Sequence, residues 1–541
     1  MKSSLRHAGT PGIDDAATAA ARPGSAEDLG DALRDLGRPR WVVARDGGWL
    51  FSDAPPALRP GERAAFLPPM RPADLGDAAF RRAHGVRFAC VAGAMANGIG
   101  SVEVVEAMAR AGMLGFFGSA GLDPARVEDA ADRLRRSLGD LPFGINFIHS
   151  PTEPDLEEAL VDLFLRRGVR LAEASAFLDL TPALVRWRLT GLRVEPDGRV
   201  VAPNRVVAKV SRVEVAAKFL SPAPERIVAA LAAAGRITAE EARLAAFVPM
   251  ADDLTAEADS GGHTDNRPLV ALLPTLIALR DRTAAKHRFA AAPRVGAAGG
   301  VATPASAAAA FSMGAAFVLT GSVNQCCLEA GTSDAVREML AQAEQADTSM
   351  APAADMFEMG VKVQVLKRGT MFPQRAQRLY DLWRAHGSIE ELPAADRQSL
   401  EQTVFRRPLA EVWEETRAFF ERRDPSQVEQ AARDPRHRMA LVFRWYLGMS
   451  SRWANSGEPT RRLDYQVWCG PAMGAFNEWA RGSFLEDWRQ RRVAVVAGNL
   501  LAGAAALLRA QAVRAQGVPV PPDAVRASPL PPDALEETLR G

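Results

Sequence analysis

His263 is the side chain that the sequence places best for acid–base chemistry. It lies in ADSGGHTDNRPL, residues 258–269, directly after two glycines. Paired glycines let the backbone pass close to a ligand, and an imidazole changes its protonation near neutral pH. The stretch alone is equally compatible with a surface turn whose Asp265 or Asn266 caps the next helix. The interpretation of His263 as catalytic therefore depends on the elements around it.

Glycines at the ends of three apolar runs form a second group of candidates. The group comprises Gly261, Gly262, Gly299, Gly300, Gly321 and the neighbouring Ser322. The segments AAGG and TGSV hold the last four, and their backbone N–H groups could bind a phosphate, since glycine permits a close approach. The alternative is that each glycine serves a tight turn with a positive φ. Their joint occurrence at the phosphate-binding loops of a barrel would favour the first interpretation.

Three polar residues next to predicted strands could address a planar cofactor ring. Asn97 follows the first strand, Asn146 lies at the end of the third, and Lys209 lies at the end of the fifth. Amides can form hydrogen bonds to ring edges, and a lysine can stabilise negative charge on a reduced ring. For each residue taken alone, a solvated or core-capping role is an equal alternative.

The elements that must position these residues follow a regular alternation. From about residue 86 to 325, eight short apolar runs alternate with segments of helical periodicity. Continuous apolar runs are typical of strands covered on both faces, and eight such units predict an α/β protein with a (β/α)₈ TIM barrel. A doubly wound sheet would require GxGxxG after its first strand, and GAMANGIG has a different glycine spacing. In a barrel, the loops after the strands carry the active site.

The chain divides into four predicted regions. Residues 1–75 form an N-terminal segment with a poorly ordered start, a small β-hairpin and a proline-rich linker. Residues 76–332 form the barrel, with a helical insertion at about 221–249, expected on the active face between strands five and six. Residues 333–515 form a large helical region without strand periodicity. Residues 516–541 are rich in proline and predict a flexible tail.

Composition excludes several classes of protein. A net charge of +1 gives no reason to expect nucleic acid or a membrane surface as the main partner. The four cysteines form neither a CxxC pair nor a metal-ligand spacing, so we predict no disulfide framework and no metal site. The apolar run 493–508 is shorter than the ~20 residues that span a bilayer, and the first 25 residues lack a signal-peptide core. We therefore expect a cytoplasmic protein.

Four segments together resemble one enzyme family. ADSGGHTDNRPL, AGAMANGIGS, AAGGV and MAPAADMFEMGVKVQVLKRGTMFP closely resemble the trans-acting enoyl reductases of bacterial polyketide and polyunsaturated fatty acid synthases. These belong to a wider group of FMN-dependent barrels that includes nitronate monooxygenases. The resemblance covers roughly residues 75–510. It implies FMN as prosthetic group, NADPH as hydride donor and His263 as the catalytic residue. The cofactor-binding residues that it implies are Ala94, Met95, Asn97, Asn146, Lys209, Gly261, Gly262, Gly299, Gly300, Gly321 and Ser322.

The implied reaction is reduction of an α,β-unsaturated thioester carried by an acyl carrier protein. Hydride would reach the β-carbon, and His263 would either hydrogen-bond the thioester oxygen or protonate the α-carbon. Two alternatives remain, a nitronate monooxygenase-like flavin oxidase and a non-catalytic barrel that serves as a scaffold in a synthase. The long helical region argues against the oxidase, because a small nitronate needs no such cap.

The helical region offers two further hypotheses. Residues 361–378 contain five basic residues and no acidic one, so they could dock an acidic carrier protein. A solvated basic face, or a grip on a cofactor phosphate, is the alternative. Residues 469–488, CGPAMGAFNEWARGSFLEDW, could form a lid or an acyl tunnel. A homodimer is an option that the sequence leaves open.

Overall fold

The computed structural model describes residues 25–150 and 153–540. The chain divides into a small unit of Met1–Met70, Ala506–Ala527 and Gly541 and a large unit of Arg71–Ala505 and Ser528–Arg540. The predicted disorder at the chain start falls on residues 1–24, which lie outside the described residues.

A closed barrel of eight parallel strands forms the centre of the large unit. In chain order the barrel strands are Cys90–Ala92, Leu114–Phe117, Gly144–Ile148, Leu171–Ser175, Arg205–Val210, Asp253–Glu257, Arg294–Ala298 and Val318–Thr320. The eighth strand pairs with the first, Val318 opposite Cys90, which closes the sheet. The predicted TIM barrel is confirmed. Its strands are buried almost throughout, as expected where helices cover the outer face.

Helices follow the barrel strands and begin at their carboxyl ends. They are Val102–Arg110, Pro124–Leu138, Pro154–Arg167, Pro182–Leu189, Val213–Leu220, Leu269–His287, Pro304–Ser312 and the short Ser322–Gln325. Side-chain caps start several of them, such as Ser101, Asp123 and Thr181, each of which accepts from a backbone N–H three residues on. The caps fix where each loop ends and so shape the face that the loops build.

The amino end of the barrel is closed by side chains. Helix Ala78–His84 lies there, and the Phe80 ring stacks on Phe317 with centroids 4.4 Å apart. His84 Nε2 lies 2.7 Å from Asp253 Oδ2, and Arg294 also pairs with Asp253. The carboxyl end is therefore the open end of the barrel.

The predicted insertion at 221–249 is helical, but its predicted position is wrong. Helices Glu225–Ala233 and Ala239–Leu244, then the 3₁₀ turn Ala245–Phe247, follow helix Val213–Leu220 rather than a strand. A helix that follows a barrel strand returns the chain to the amino ends of the strands. The insertion thus joins a helix to strand six and starts on the face opposite the active-site loops.

The prediction that residues 333–515 lack strands is also wrong. Strands Thr348–Pro352 and Lys362–Leu366 form an antiparallel hairpin, to which Gly262–His263 adds as the third strand. These strands are short, and the third strand of their sheet comes from a loop about a hundred residues earlier, so no local alternation revealed them.

Helices make up the rest of this region, which we call the helical region. They are Asp334–Ala341, Phe372–Ala385, Ala394–Ser399, Leu409–Arg423, Pro425–Arg433, Pro435–Ser456, Ala472–Ala480 and Val493–Ala515, with a π turn at Leu400–Phe405 and 3₁₀ turns at Pro459–Asp464, Phe484–Glu486 and Trp488–Gln490. A buried core that includes Phe357, Phe405 and Tyr446 joins the hairpin to helices Phe372–Ala385, Leu409–Arg423 and Pro435–Ser456. Helix Val493–Ala515 is long and apolar enough to span a membrane, but 67% of its most apolar window is buried inside the protein. Burial of this kind is typical of a core helix.

The small unit contains a three-stranded antiparallel sheet. Strand Arg40–Arg45 pairs with Gly48–Ser52 and with Ala64–Leu67, beside helix Ala26–Arg34. The predicted hairpin is present, but the predicted linker contributes the third strand. This strand was not predicted because the prolines on either side of it, Pro60 and Pro68, are typical of a linker.

The predicted flexible tail is wrong for the described residues. Val518 and Val520 are buried in the small unit, which also holds the 3₁₀ turn Asp523–Val525. Helix Pro532–Arg540 belongs to the large unit, where Leu535 is buried. Apolar residues between the prolines supply enough buried surface to order the segment.

Candidate functional site

His263 lies at the carboxyl end of the barrel, on a short strand that joins the sheet of the hairpin in the helical region. The loop after strand six continues into Gly262–His263, which pairs with Gln364 and Val363 of the hairpin. Gly262 has φ +81°, a conformation that favours glycine. The His263 side chain is 40% exposed, so a substrate can reach it.

An acid from the helical region contacts His263. Asp355 Oδ1 lies 3.3 Å from His263 Nε2. Burial alone would lower the pKa of His263, but the hydrogen bond and charge of Asp355, with the charge of Glu257, outweigh it and raise that pKa. Asp355 was not predicted, because about ninety positions separate it from His263 and no local pattern links the two.

Hydrogen bonds fix the loop that carries His263. Gln364 Nε2 donates to Asp259 Oδ1 at 2.8 Å and to the Ser260 carbonyl at 2.7 Å. Asn266 Nδ2 donates to the same Asp259 oxygen at 2.8 Å. Asp265 instead accepts from Ser211 and Arg212 on the loop after strand five. Helix Leu269–His287 has no side-chain cap, so the simple turn-and-cap interpretation is wrong.

A charged cluster fills the barrel just below its mouth. Lys209 Nζ lies 2.8 Å from Glu257 Oε1, on neighbouring strands. Burial would lower the pKa of Lys209, but Glu257 and Glu173 outweigh it and raise that pKa, so the ammonium stays charged. Lys209 thus lies near the end of strand five, as predicted, and it faces two carboxylates that were not predicted.

Glu173 on strand four is fully buried. Its Oε2 accepts from the Ala94 N–H at 2.9 Å, while Oε1 has no hydrogen-bond partner. Burial raises the pKa of Glu173 to about 7, and Lys209 opposes this only in part. The sequence feature that could have predicted this buried carboxylate is the single glutamate in the strand segment LAEAS, whose other residues are small or apolar.

The other residues that were predicted to contact the cofactor ring form hydrogen bonds within the protein. The Ala94 N–H is bonded to Glu173, and Asn97 Nδ2 donates to Ser451 Oγ at 3.0 Å. Asn97 therefore ties the first barrel loop to the helical region. Asn146 is buried and donates to the Glu173 carbonyl and to Ser175 Oγ. The Met95 carbonyl accepts from Gly100 N within the same loop.

The glycines after strands seven and eight differ in role. Gly299 has φ +80°, and a Cβ there would lie 2.5 Å from the Ala258 carbonyl carbon, so it packs two loops together. At Gly300 and Gly321 nothing lies within 4 Å of where a Cβ would be, so the space before them is open. Ser322 Oγ accepts from the Gly470 N–H at 3.2 Å. The open backbone at the carboxyl ends of both strands fits a phosphate group.

Residues 361–378 offer little free positive charge. Arg368 pairs with Asp347 at 3.0 Å, Arg378 pairs with Asp396 at 2.9 Å, and Arg375 pairs with a buried aspartate. Lys362 and Lys367 remain exposed. The basic excess in the sequence is thus largely neutralised in the fold, which weakens the docking hypothesis for this stretch.

Residues 469–488 contact the loop that carries His263. A Cβ on Gly470 would lie 2.8 Å from Gly261 N, and a Cβ on Gly261 would lie 2.9 Å from Cys469 N. Helix Ala472–Ala480 packs as closely, since a Cβ on Gly474 would lie 2.1 Å from Gln345 N. The segment is therefore a fixed wall of the site. Within residues 25–150 and 153–540, no group of three His, Cys, Asp or Glu side chains could hold a metal ion.

Two family models match the chain. The nitronate monooxygenase model matches residues 79–379, which include the barrel and the hairpin. The model of the inserted helical domain of [acyl-carrier-protein] S-malonyltransferase matches residues 386–465 in the helical region.

Relatives and a solved structure extend these matches. The chain is 49% identical over 459 residues to a polyunsaturated fatty acid synthase protein of Thraustochytrium, covering 84% of this chain and 31% of that protein. It is 47% identical over 435 residues to the polyketide biosynthesis protein PksE of Bacillus subtilis, covering 80% of this chain and 56% of that protein. It thus spans only about a third to a half of these relatives. The crystal structure of the enoyl reductase domain of MlnA, from the macrolactin cluster of Bacillus amyloliquefaciens, is 40% identical with TM-score 0.78, covering 81% of this chain and 99% of that domain.

Proposed function

Because the chain belongs to the nitronate monooxygenase family, within its enoyl reductases of polyketide and polyunsaturated fatty acid synthases, we propose that it reduces enoyl thioesters on an acyl carrier protein. FMN would be its prosthetic group and NADPH its hydride donor. The observation that carries the proposal is the match over 99% of a solved enoyl reductase domain, at 40% identity. A cytoplasmic location and a homodimer stay predictions.

The chemistry that bound FMN would supply is hydride transfer, from NADPH and then to the β-carbon of the enoyl thioester. Gly300 and Gly321 would hold the phosphate, since their backbone faces open space after strands seven and eight. Lys209 would supply a fixed positive charge to the bound flavin, because its pairing with Glu257 keeps it protonated.

His263 would act on the substrate from the loop after strand six, next to the strand that carries Lys209. A protonated imidazole can donate to the thioester oxygen or give a proton to the α-carbon as negative charge develops there. The loop hydrogen bonds through Gln364 and Asp259 hold this side chain in place before substrate binds. Preorganised donors of this kind contribute most when they need no rearrangement during the reaction.

The test is a two-step anaerobic experiment. The purified, flavin-loaded protein is reduced with NADPH, then mixed with a crotonyl-carrier protein while the flavin absorbance is followed. The proposal requires rapid reoxidation with formation of the butyryl product. The matched control is a butyryl-carrier protein, which has no double bond and should leave the flavin reduced.

A nitronate monooxygenase-like oxidase is the second candidate, favoured by the family model that matches residues 79–379. It predicts a flavin that stays reduced with every enoyl thioester and reoxidises only when air is admitted. The scaffold alternative predicts that the purified protein binds no FMN at all.

A further inference from the structure

The turn 353–360 of the helical region carries an acid to the catalytic histidine. Asp355 Oδ1 lies 3.3 Å from His263 Nε2 and also accepts from the Met356 N–H at 3.1 Å. The contact leaves His263 Nδ1 as the ring nitrogen that can face a substrate.

The turn is anchored on both sides of Asp355. Arg444 Nε donates to the Ala354 carbonyl at 2.8 Å, and His437 Nδ1 lies 3.0 Å from Glu358 Oε1. Phe357 is buried, with its ring 5.5 Å from those of Tyr380 and Trp383. Although the Asp355 side chain is 55% exposed, its backbone position is thus set by helix Pro435–Ser456 and the aromatic core.

We propose that Asp355 is a positioning residue for His263, a role that rests on the proposed enoyl reduction. With its carboxylate on Nε2, Asp355 keeps one ring proton at that nitrogen, so Nδ1 carries a proton only when the ring is cationic. The Nδ1 proton passes to the α-carbon as the enolate collapses, and the imidazolium becomes a neutral ring whose Nε2 keeps its proton and faces the Asp355 carboxylate. Solvent then restores the Nδ1 proton. The barrel therefore supplies the histidine, and the helical region supplies the charge that keeps it protonated.

The other charges around His263 agree with a raised pKa of its imidazole. Glu257, on the sixth strand, adds negative charge near His263 and raises its pKa further, against the lowering by burial. Arg444 and Glu358 flank Asp355, and the charge of Asp355 acts on Arg444 as well. Asp355 and Glu257 are the two carboxylates that act on the imidazole.

The first test needs no substrate. Histidine labelled with ¹³C at Cε1 gives seven resonances, and His263→Ala identifies the one that belongs to His263. A pH titration by NMR then measures the pKa of His263 in the wild type and in Asp355→Asn. We expect the pKa to fall in Asp355→Asn and to stay nearer the wild-type value in Asp355→Glu, which keeps the charge.

Asp396→Asn is the matched control, because it removes a carboxylate of the helical region that pairs with Arg378 instead. It should leave the His263 resonance unchanged. An unaltered His263 pKa in Asp355→Asn, or an equal fall in Asp396→Asn, would overturn the proposal. Melting temperatures of all three variants establish that they are folded.

The second test uses the reaction. In Asp355→Asn the alkaline limb of the pH profile for flavin reoxidation by crotonyl-carrier protein should move to lower pH, with about a tenfold loss at pH 8 and a smaller loss at pH 6. A lower His263 pKa with an unmoved pH profile would also overturn the role. If wild-type protein reduces no enoyl thioester while the NMR shift is present, the proposed function fails and the pairing itself stands.

Discussion

Gly261 and Cys469 are in such close backbone contact that a Cβ on Gly261 would lie 2.9 to 3.0 Å from three backbone atoms of Cys469. Two segments more than two hundred positions apart are thereby locked together directly beside His263. Gly261→Ala should push the loop away from residues 469–470, with about 1 to 3 kcal/mol lost in stability and a loss of enoyl reduction.

Gly448→Ala is the control, because it makes the same change in a helix at a glycine with nothing nearby. It should be neutral or stabilising by up to about 1 kcal/mol. Thermal unfolding and turnover of both variants check the expectation, and equal behaviour would contradict it.

His263→Ala should retain FMN and lose enoyl reduction by about a hundredfold or more, because the donor to the developing charge is gone. The flavin spectrum and its reduction by NADPH report loading, and single-turnover reoxidation by crotonyl-carrier protein reports the second step. Normal turnover of a fully loaded variant would show that another group serves the substrate.

Gly300→Asp should lose the flavin. The new carboxylate would project into the open space where we place the phosphate, and like charges repel. Gly198→Asp is the control, since it is the same change at another glycine with positive φ and open surroundings, in the surface loop between strands Arg193–Val194 and Val200–Val201. The ratio of flavin to protein absorbance decides, and a fully yellow Gly300→Asp protein would refute the phosphate placement.

Glu173→Gln should change how stability depends on pH. Burial raises the pKa of Glu173 to about 7, above its ordinary value of 4.5, so the folded protein binds a proton that the unfolded chain has already released. Wild-type stability therefore falls as the pH rises from about 4.5 to 7, and the loss is complete above pH 7. The amide carries no charge and can still accept from Ala94 through its oxygen, so the melting temperature of the variant should gain on that of the wild type across this window. A constant difference between the two from pH 4.5 to 8 would contradict the raised pKa.

Lys209→Met should destabilise the protein by about 3 kcal/mol at pH 8, because Glu257 and Glu173 would be left without their buried cation. At pH 5 the cost should be smaller, since Glu173 is then protonated and neutral. Melting temperatures at the two pH values test this, and a cost independent of pH would mean that the carboxylates do not depend on Lys209.

The barrel could be predicted because its signal is local and repeated. Each strand is a short apolar run, and most of the barrel helices begin at a side-chain cap or a proline. The loops that hold Gly300, Gly321 and His263 then fall at the carboxyl ends by topology alone. Lys209 was placed correctly for the same reason. The insertion was assigned to the wrong face: it follows helix Val213–Leu220, which already completes the fifth β/α unit, so it begins at the amino ends of the strands.

The partners of the predicted residues could not be read from local patterns. Asp355 reaches His263 only because strand Lys362–Leu366 pairs with Gly262–His263, and this pairing joins positions about a hundred residues apart. Asn97 was expected to face a ring, but helix Pro435–Ser456 places Ser451 within its reach instead. Such contacts depend on tertiary packing that no periodicity encodes.

The pairing of His263 with Val363 also sets an order of events during synthesis. The last barrel strand ends at Thr320, whereas the strand that fixes the histidine loop is Lys362–Leu366. When the last barrel strand leaves the ribosome, this later strand has not yet emerged. At about 5 to 20 residues per second, the missing segment follows several seconds later. A nascent barrel can therefore close without a finished catalytic loop, and the enzyme gains its full site only when the second half of the chain has emerged.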